Sequence, residues 1–259
     1  MSSTKIDYIM MVDTSGSMHN LYANGYVKEA GQAFLENVKE KNPDKLVMFA
    51  SFSHIITINE PVPLKDTVFP DYQADLQGMT ALYKAVCETV KSGSLSDKGV
   101  LFIITDGCNT AYDEYKRDFQ ETIAKIQKDG WEVCFIGSDQ NVVNSGIAAG
   151  IPARCCAAFD SSNPETLVYL SRAVSQAVGS QQPGTPLDIR ALSTPSASTP
   201  NSTPFFQAPF QAPFQAPFQA PFQAPFQAPF QAPFQAPFQP PFQSPFPVSG
   251  LKRSVCGSD

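Results

Sequence analysis

From Gln207 to Phe238 the chain repeats Gln-Ala-Pro-Phe without interruption, then continues as Gln-Pro-Pro-Phe and Gln-Ser-Pro-Phe to Phe246. Proline at every fourth position removes a backbone donor and fixes φ each time, which forbids an α-helix and interrupts any sheet ladder. The stretch is left extended or turn-rich. In a polyproline II geometry each phenylalanine is rotated by about 120° from the last, so no single aromatic face forms, and the repeat reaches on the order of 120 Å when extended. More than half of the 20 phenylalanines lie after Pro204 and cannot belong to a core. Residues 179–204, rich in Ser, Thr, Pro and Gly, read as a flexible linker, residues 205–247 as a disordered repeat and residues 248–259 as a C-terminal tail. The fold must therefore come from residues 1–178, a length that buries roughly 70% of its unfolded surface in one domain.

Within those residues strand and helix signals alternate. Residues 6–12 are almost continuously apolar, as in a strand buried on both faces. A helical pattern follows over 26–41, then strands over 46–52 and 55–58, whose two-residue separation by Ser53 and His54 suggests an antiparallel edge hairpin. Thr80 opens a helix to about Lys91; 100–105 is a strand, 113–128 a helix and 133–136 a strand. Residues 142–149, 155–159 and 164–178 continue as helix, strand and helix. This order predicts an α/β fold, a doubly wound and mostly parallel central sheet with helices on both faces. Such sheets bind ligands at the carboxyl ends of their strands.

The first strand runs directly into Asp13-Thr14-Ser15-Gly16-Ser17. Alternation along the strand and the sharp turn that Gly16 permits let positions 13, 15 and 17 converge on one point. One carboxylate and two hydroxyls form an oxygen-only ligand set, best suited to Mg²⁺, with Mn²⁺ and Ca²⁺ as competitors. Asp and Ser also favour turns and helix N-caps, so these five residues could merely join a strand to a helix. Two further segments decide against that. Gln77-Gly78-Met79-Thr80-Ala81-Leu82-Tyr83 puts a threonine at the mouth of a helix, where it can cap, ligate or do both. Leu101-Phe102-Ile103-Ile104-Thr105-Asp106-Gly107 ends another buried strand on an aspartate.

These three segments together resemble the von Willebrand factor A domain and its metal-ion-dependent adhesion site, in the right order and spacing across residues 6–178. The resemblance implies a Rossmann-like fold and a metal held by Asp13, Ser15, Ser17, Thr80 and Asp106. It implies a divalent-cation-dependent protein-interaction module, not an enzyme, in which a partner's Asp or Glu fills an open metal position. In that family the last helix, here 164–178, often moves on ligation. A second segment, Phe135-Ile136-Gly137-Ser138-Asp139-Gln140 followed by 145–151, is similar to small intracellular bacterial and phage proteins with this domain. Short proline-rich tandem repeats also occur in viral structural proteins.

Charge and targeting narrow the partners. The net charge is −6, and residues after Val178 carry three cations against two anions, which leaves −7 on the part expected to fold. Nucleic acid, which needs clustered Lys and Arg, is not an expected partner. No apolar run approaches the ~20 residues of a membrane span, and residues 8–12 are too short for a signal peptide. The six cysteines, Cys87, Cys108, Cys134, Cys155, Cys156 and Cys256, show no Cys-x-x-Cys spacing and read as reduced thiols. The expected location is the cytoplasm, or the virion or host cytoplasm for a viral source. Neither His19 nor His54 belongs to a triad pattern, and neither a nucleophile elbow nor a P-loop occurs. The phenylalanine repeats fit weak multivalent docking or self-association, or a spacer expanded by repeat slippage. Alternatives from other classes are an assembly or virion scaffold acting through the repeats, a metal-dependent hydrolase or phosphotransferase, and a partner subunit of an ATPase.

Overall fold

The computed structural model describes residues 5–75, 78–180 and 186–193. The remaining linker residues, the Gln-Ala-Pro-Phe repeat, the C-terminal tail and Cys256 lie outside the described residues.

Among the described residues, seven strands form one sheet: β1 (Ile6–Asp13), β2 (Leu46–Phe52), β3 (Ile56–Ile58), β4 (Val62–Pro63), β5 (Leu95–Thr105), β6 (Glu132–Gly137) and β7 (Cys156–Ala158). Their order is β3-β2-β1-β5-β6-β7, with β4 also pairing β2. The β2-β1-β5-β6-β7 pairings are parallel, and β3 and β4 join β2 antiparallel, so the expected edge hairpin is present. Among the described residues, six α-helices accompany them: α1 (His19–Ala23), α2 (Tyr26–Lys41), α3 (Leu82–Ser92), α4 (Lys116–Lys128), α5 (Gln140–Ala148) and α6 (Glu165–Ser180).

The centre of the sheet is apolar because it is covered twice. Ile9, Met10, Met11 and Val12 are all buried, but alternate residues serve different layers. Tyr8, Met10 and Val12 join Phe34 and Val38 of α2 and Leu167 and Val174 of α6, with Phe34 stacked on Phe102 at 4.3 Å. Ile9 and Met11 join Val86 of α3, Phe119 and Ile123 of α4 and Val142 of α5. The helices carry matching stripes: Val27, Ala30, Phe34 and Val38 recur at helical spacing on α2. Two positions need glycine. A side-chain carbon on Gly31 would fall 2.3 Å from the Phe69 ring, so α2 admits that ring only without one. Gly130, at φ 95°, ends the α4 turn in left-handed geometry.

Three features differ from the sequence expectation. β5 begins at Leu95 rather than Val100, with a register shift against β1 between Ile6 and Tyr8. Ala81, not Thr80, occupies the N-cap of α3 without a side-chain bond of its own, and Asn109 instead accepts the first-turn amide of Tyr83 at 3.1 Å. Residues 186–193, placed by composition in the linker, deliver Leu187 and Ile189 to the core. The Ile189 amide donates to the Arg154 carbonyl at 2.8 Å, and Arg154 donates to the Leu187 carbonyl at 2.9 Å. Cys87, Cys134, Cys155 and Cys156 are buried free thiols, and Cys108 is an exposed one. No described helix is long and apolar enough to cross a membrane.

Candidate metal centre

Parallel pairing brings the ends of β1 and β5 side by side: Val12 lies opposite Ile104, so Asp13 and Thr105 leave the sheet as neighbours. Asp13 is fully buried. One carboxylate oxygen accepts the Ser15 amide at 2.7 Å, and the other accepts the Thr105 hydroxyl at 2.5 Å. The Tyr22 hydroxyl donates to the Asp13 carbonyl at 2.7 Å, tying α1 to the strand end.

Gly16–Met18 forms a single 3₁₀ turn that directs Ser17 back towards the sheet. The Ser15 and Ser17 hydroxyl oxygens are 3.1 Å apart, and Ser17 donates to Asp106 at 2.7 Å. The Asp106 carbonyl accepts the Ser138 hydroxyl at 2.8 Å, which ties the ends of β5 and β6 together. Thr80 is held by its backbone. Its amide donates to the Thr110 hydroxyl at 2.9 Å, and its carbonyl accepts the amides of Thr110 and Ala111 at 2.9 and 3.2 Å. A side-chain carbon on Gly107 would fall 3.3 Å from the Thr80 hydroxyl and 3.9 Å from that of Ser17, so the two hydroxyls bracket position 107. The structure thus gathers Asp13, Ser15, Ser17, Thr80 and Asp106 at one end of the sheet.

Both carboxylates of the site hold their protons more tightly than an exposed aspartate does. Burial pushes the Asp13 carboxyl up to about 6, against the lowering effect of the Thr105 and Ser15 hydrogen bonds, and the Asp106 charge adds to the rise. Burial also raises Asp106, opposed by its bond from Ser17. Among the described residues no Lys, Arg or His forms an ion pair with either carboxylate. Nor does any group of three or more His, Cys, Asp or Glu suited to a metal occur among them. Here two carboxylates are completed by three hydroxyls, a donor set of hard oxygens that fits a hard divalent cation and offers nothing to a soft one.

Sequence reasoning missed Thr105, Tyr22 and Ser138. Thr105 could have been found by laying β1 against β5; the other two depend on loop paths that no local pattern announces. His19 is exposed and lines a separate pocket with Tyr22 and Tyr72, and the exposed His54 pairs with Asp75 at 3.1 Å. Beside the five oxygens runs a groove of about 320 Å³, walled in part by Ser17 and Asp106 themselves.

No protein-family model matches the sequence, and no curated relative does. Solved structures do. The chain is similar to proximal thread matrix protein 1 of the mussel byssus, with a TM-score of 0.52 at 14% identity, over 68% of this chain and 49% of that one. It is also similar to the pilus adhesin SpaC of Lactobacillus rhamnosus GG, with a TM-score of 0.51 at 11% identity, over 69% of this chain and 31% of that one. The chain thus matches half or less of the length of either protein. At these identities the likeness is one of fold, and the fold is the doubly wound, mostly parallel, Rossmann-like arrangement expected of a von Willebrand factor A domain.

Proposed function

We propose that this chain is a divalent-cation-dependent protein-interaction module in which Asp13, Ser15, Ser17, Thr80 and Asp106 form a metal-ion-dependent adhesion site. The observation that carries this reading is the pairing of a buried and a half-buried carboxylate, both with raised proton affinity, with hydroxyl oxygens and, among the described residues, no protein cation in an ion pair with either. Mg²⁺ is the favoured ion, with Mn²⁺ and Ca²⁺ as competitors, because the donors are all hard oxygens. A bound cation would supply a positive charge with a position open to a partner's Asp or Glu.

The protein's own residues divide the work. Thr105 and the Ser15 amide fix the Asp13 carboxylate, Ser138 fixes the Asp106 backbone, and the Thr110 and Ala111 amides fix the Thr80 backbone. Ser17 and Asp106 stand on the accessible side and face an incoming group, whereas Asp13 and Ser15 are enclosed. The Phe/Pro-rich repeat adds weak, multivalent contacts to this single docking point, self-association included.

Calorimetric titration of Mg²⁺ into the full chain, beside the Ser15→Ala/Ser17→Ala double variant, tests the reading. Binding by the wild type alone, tightened by a carboxylate-bearing peptide, is the expected outcome. Equal heats for the two proteins would overturn the site. Mg²⁺-dependent turnover of phosphate or ester substrates would replace an adhesion module with a hydrolase. Assembly that survives Asp13→Ala but not removal of residues 203–259 would favour a scaffold acting through the repeats.

A further inference from the structure

The groove beside the five oxygens is built differently from the site it adjoins. At one end it is walled by Ser17 and Asp106, the two accessible members of the candidate metal centre. Its apolar wall is made by Leu21 of α1, Tyr26 at the start of α2, and Phe159 and Pro164 on the segment between β7 and α6. Asn24, Ser138 and Ser161 supply uncharged polar groups. Apart from Asp106, no Lys, Arg, His, Asp or Glu lines it. The wall is firmly seated: Leu21 and Phe159 belong to the core cluster, and the Phe159 amide donates to the Gly137 carbonyl at 2.8 Å.

We propose that this groove is a specificity pocket for a partner segment in which the metal-seeking Asp or Glu is followed or preceded directly by an uncharged aromatic residue. The inference rests on the cation site proposed above and adds the identity of the neighbouring side chain. Charge complementarity sets the order of occupancy. An anionic group belongs at the Ser17–Asp106 end, where a cation would sit, and the rest of the groove offers a charged side chain no opposite partner. Size sets the class: a volume of about 320 Å³ lies at the lower end of ligand pockets and suits one large side chain with its backbone. The mixed lining sets the chemistry. A tyrosine can lay its ring against the half-buried Tyr26 and Pro164 and keep its hydroxyl among Asn24, Ser138 and Ser161.

The test uses the full chain in saturating Mg²⁺ and fluorescently labelled acetylated tetrapeptides: Gly-Asp-Tyr-Gly, Gly-Tyr-Asp-Gly, Gly-Asp-Ala-Gly and Gly-Asp-Lys-Gly. Burying the ring predicts that the better tyrosine peptide binds roughly tenfold more tightly than the alanine and lysine peptides. The variants Ser161→Trp and Asn24→Trp place bulk in the groove from exposed positions. Each is expected to erase the tyrosine preference while the Mg²⁺ affinity measured without peptide stays at the wild-type value. Mg²⁺-dependent binding that is equal for tyrosine and alanine, or as tight for lysine, would refute the pocket and leave the cation site standing. Absence of any Mg²⁺-dependent binding across the four peptides would refute both. A tyrosine preference that survives both tryptophan variants would place the selecting contact elsewhere and refute the pocket.

Discussion

Asp13 is held in the folded protein at a cost that can be measured by removing its charge. An ordinary aspartate titrates near 3.8 and this one at about 6, chiefly because it is buried. At about 1.4 kcal/mol per pH unit, keeping it ionised costs the cation-free protein about 3 kcal/mol at pH 7.5. The sign follows from the direction of the change. The folded-state value lies above the unfolded one, so the penalty is complete above about 6, shrinks as the pH falls towards 3.8 and vanishes below. Asn is the informative replacement. Its oxygen can still accept the Ser15 amide, and its NH₂ can donate to the Thr105 hydroxyl if that hydroxyl turns to the Gly107 carbonyl, already 3.1 Å away. In urea unfolding with EDTA at pH 7.5, Asp13→Asn should be the more stable protein by up to about 3 kcal/mol. With a slope near 2 kcal/mol per M, that is a midpoint higher by on the order of 1 M. At pH 5 the gap should narrow to about half, because wild-type Asp13 is then largely protonated in the folded state. Excess Mg²⁺ should reverse the ranking by stabilising only the wild type. A less stable Asp13→Asn in EDTA at pH 7.5, or a gap that ignores pH, would refute the reasoning.

Protons and cation compete for the same carboxylate, so apparent Mg²⁺ affinity by calorimetry should weaken about tenfold between pH 7 and pH 5, as Asp13 protonates around 6. Thr105→Val keeps the side-chain shape but removes the donor to Asp13; it should cost about tenfold in Mg²⁺ affinity, and unchanged affinity would show that the hydrogen bond does not position the carboxylate. Gly31→Ala forces a methyl group into the Phe69 ring; a loss of about 1–3 kcal/mol in urea unfolding is expected, with Mg²⁺ affinity retained, since Gly31 faces Phe69 and none of the five oxygens.

Legibility in the sequence followed burial and periodicity. The helix expected over 26–41 and the strand expected over 46–52 have those bounds in the structure, because the first carries a helical stripe along its length and the second is an almost unbroken apolar run buried on both faces. The start of β5 was hidden. Ser96, Asp97, Lys98 and Gly99 look like a loop, yet they bulge past β1 and are held by Trp131, whose indole donates to the Ser96 carbonyl at 2.8 Å. Leu187 and Ile189 were masked by neighbours rich in Ser, Thr and Pro, which dominate composition while two side chains make the contact. At the candidate site, the residues named from the motifs lie together at one end of the sheet. Those that orient them do not show in the motifs, because Thr105 acquires its role from strand register, Tyr22 from the placement of α1 against the end of β1, and Ser138 from the loop after β6 meeting the end of β5.

The five oxygens come from three stretches of chain that meet only through the sheet: Ser17 reaches Asp106 across 89 positions, and Asp13 reaches Thr105 across 92. Neither pair exists until β5 has been made and has docked beside β1, and Thr80 is seated only once the loop after β5 supplies its amides. A nascent or partly unfolded chain therefore offers isolated aspartates and serines, not a chelating set. Any ion that the complete set holds binds only to finished molecules, and docking that depends on it distinguishes a mature copy from an immature one without a separate checkpoint.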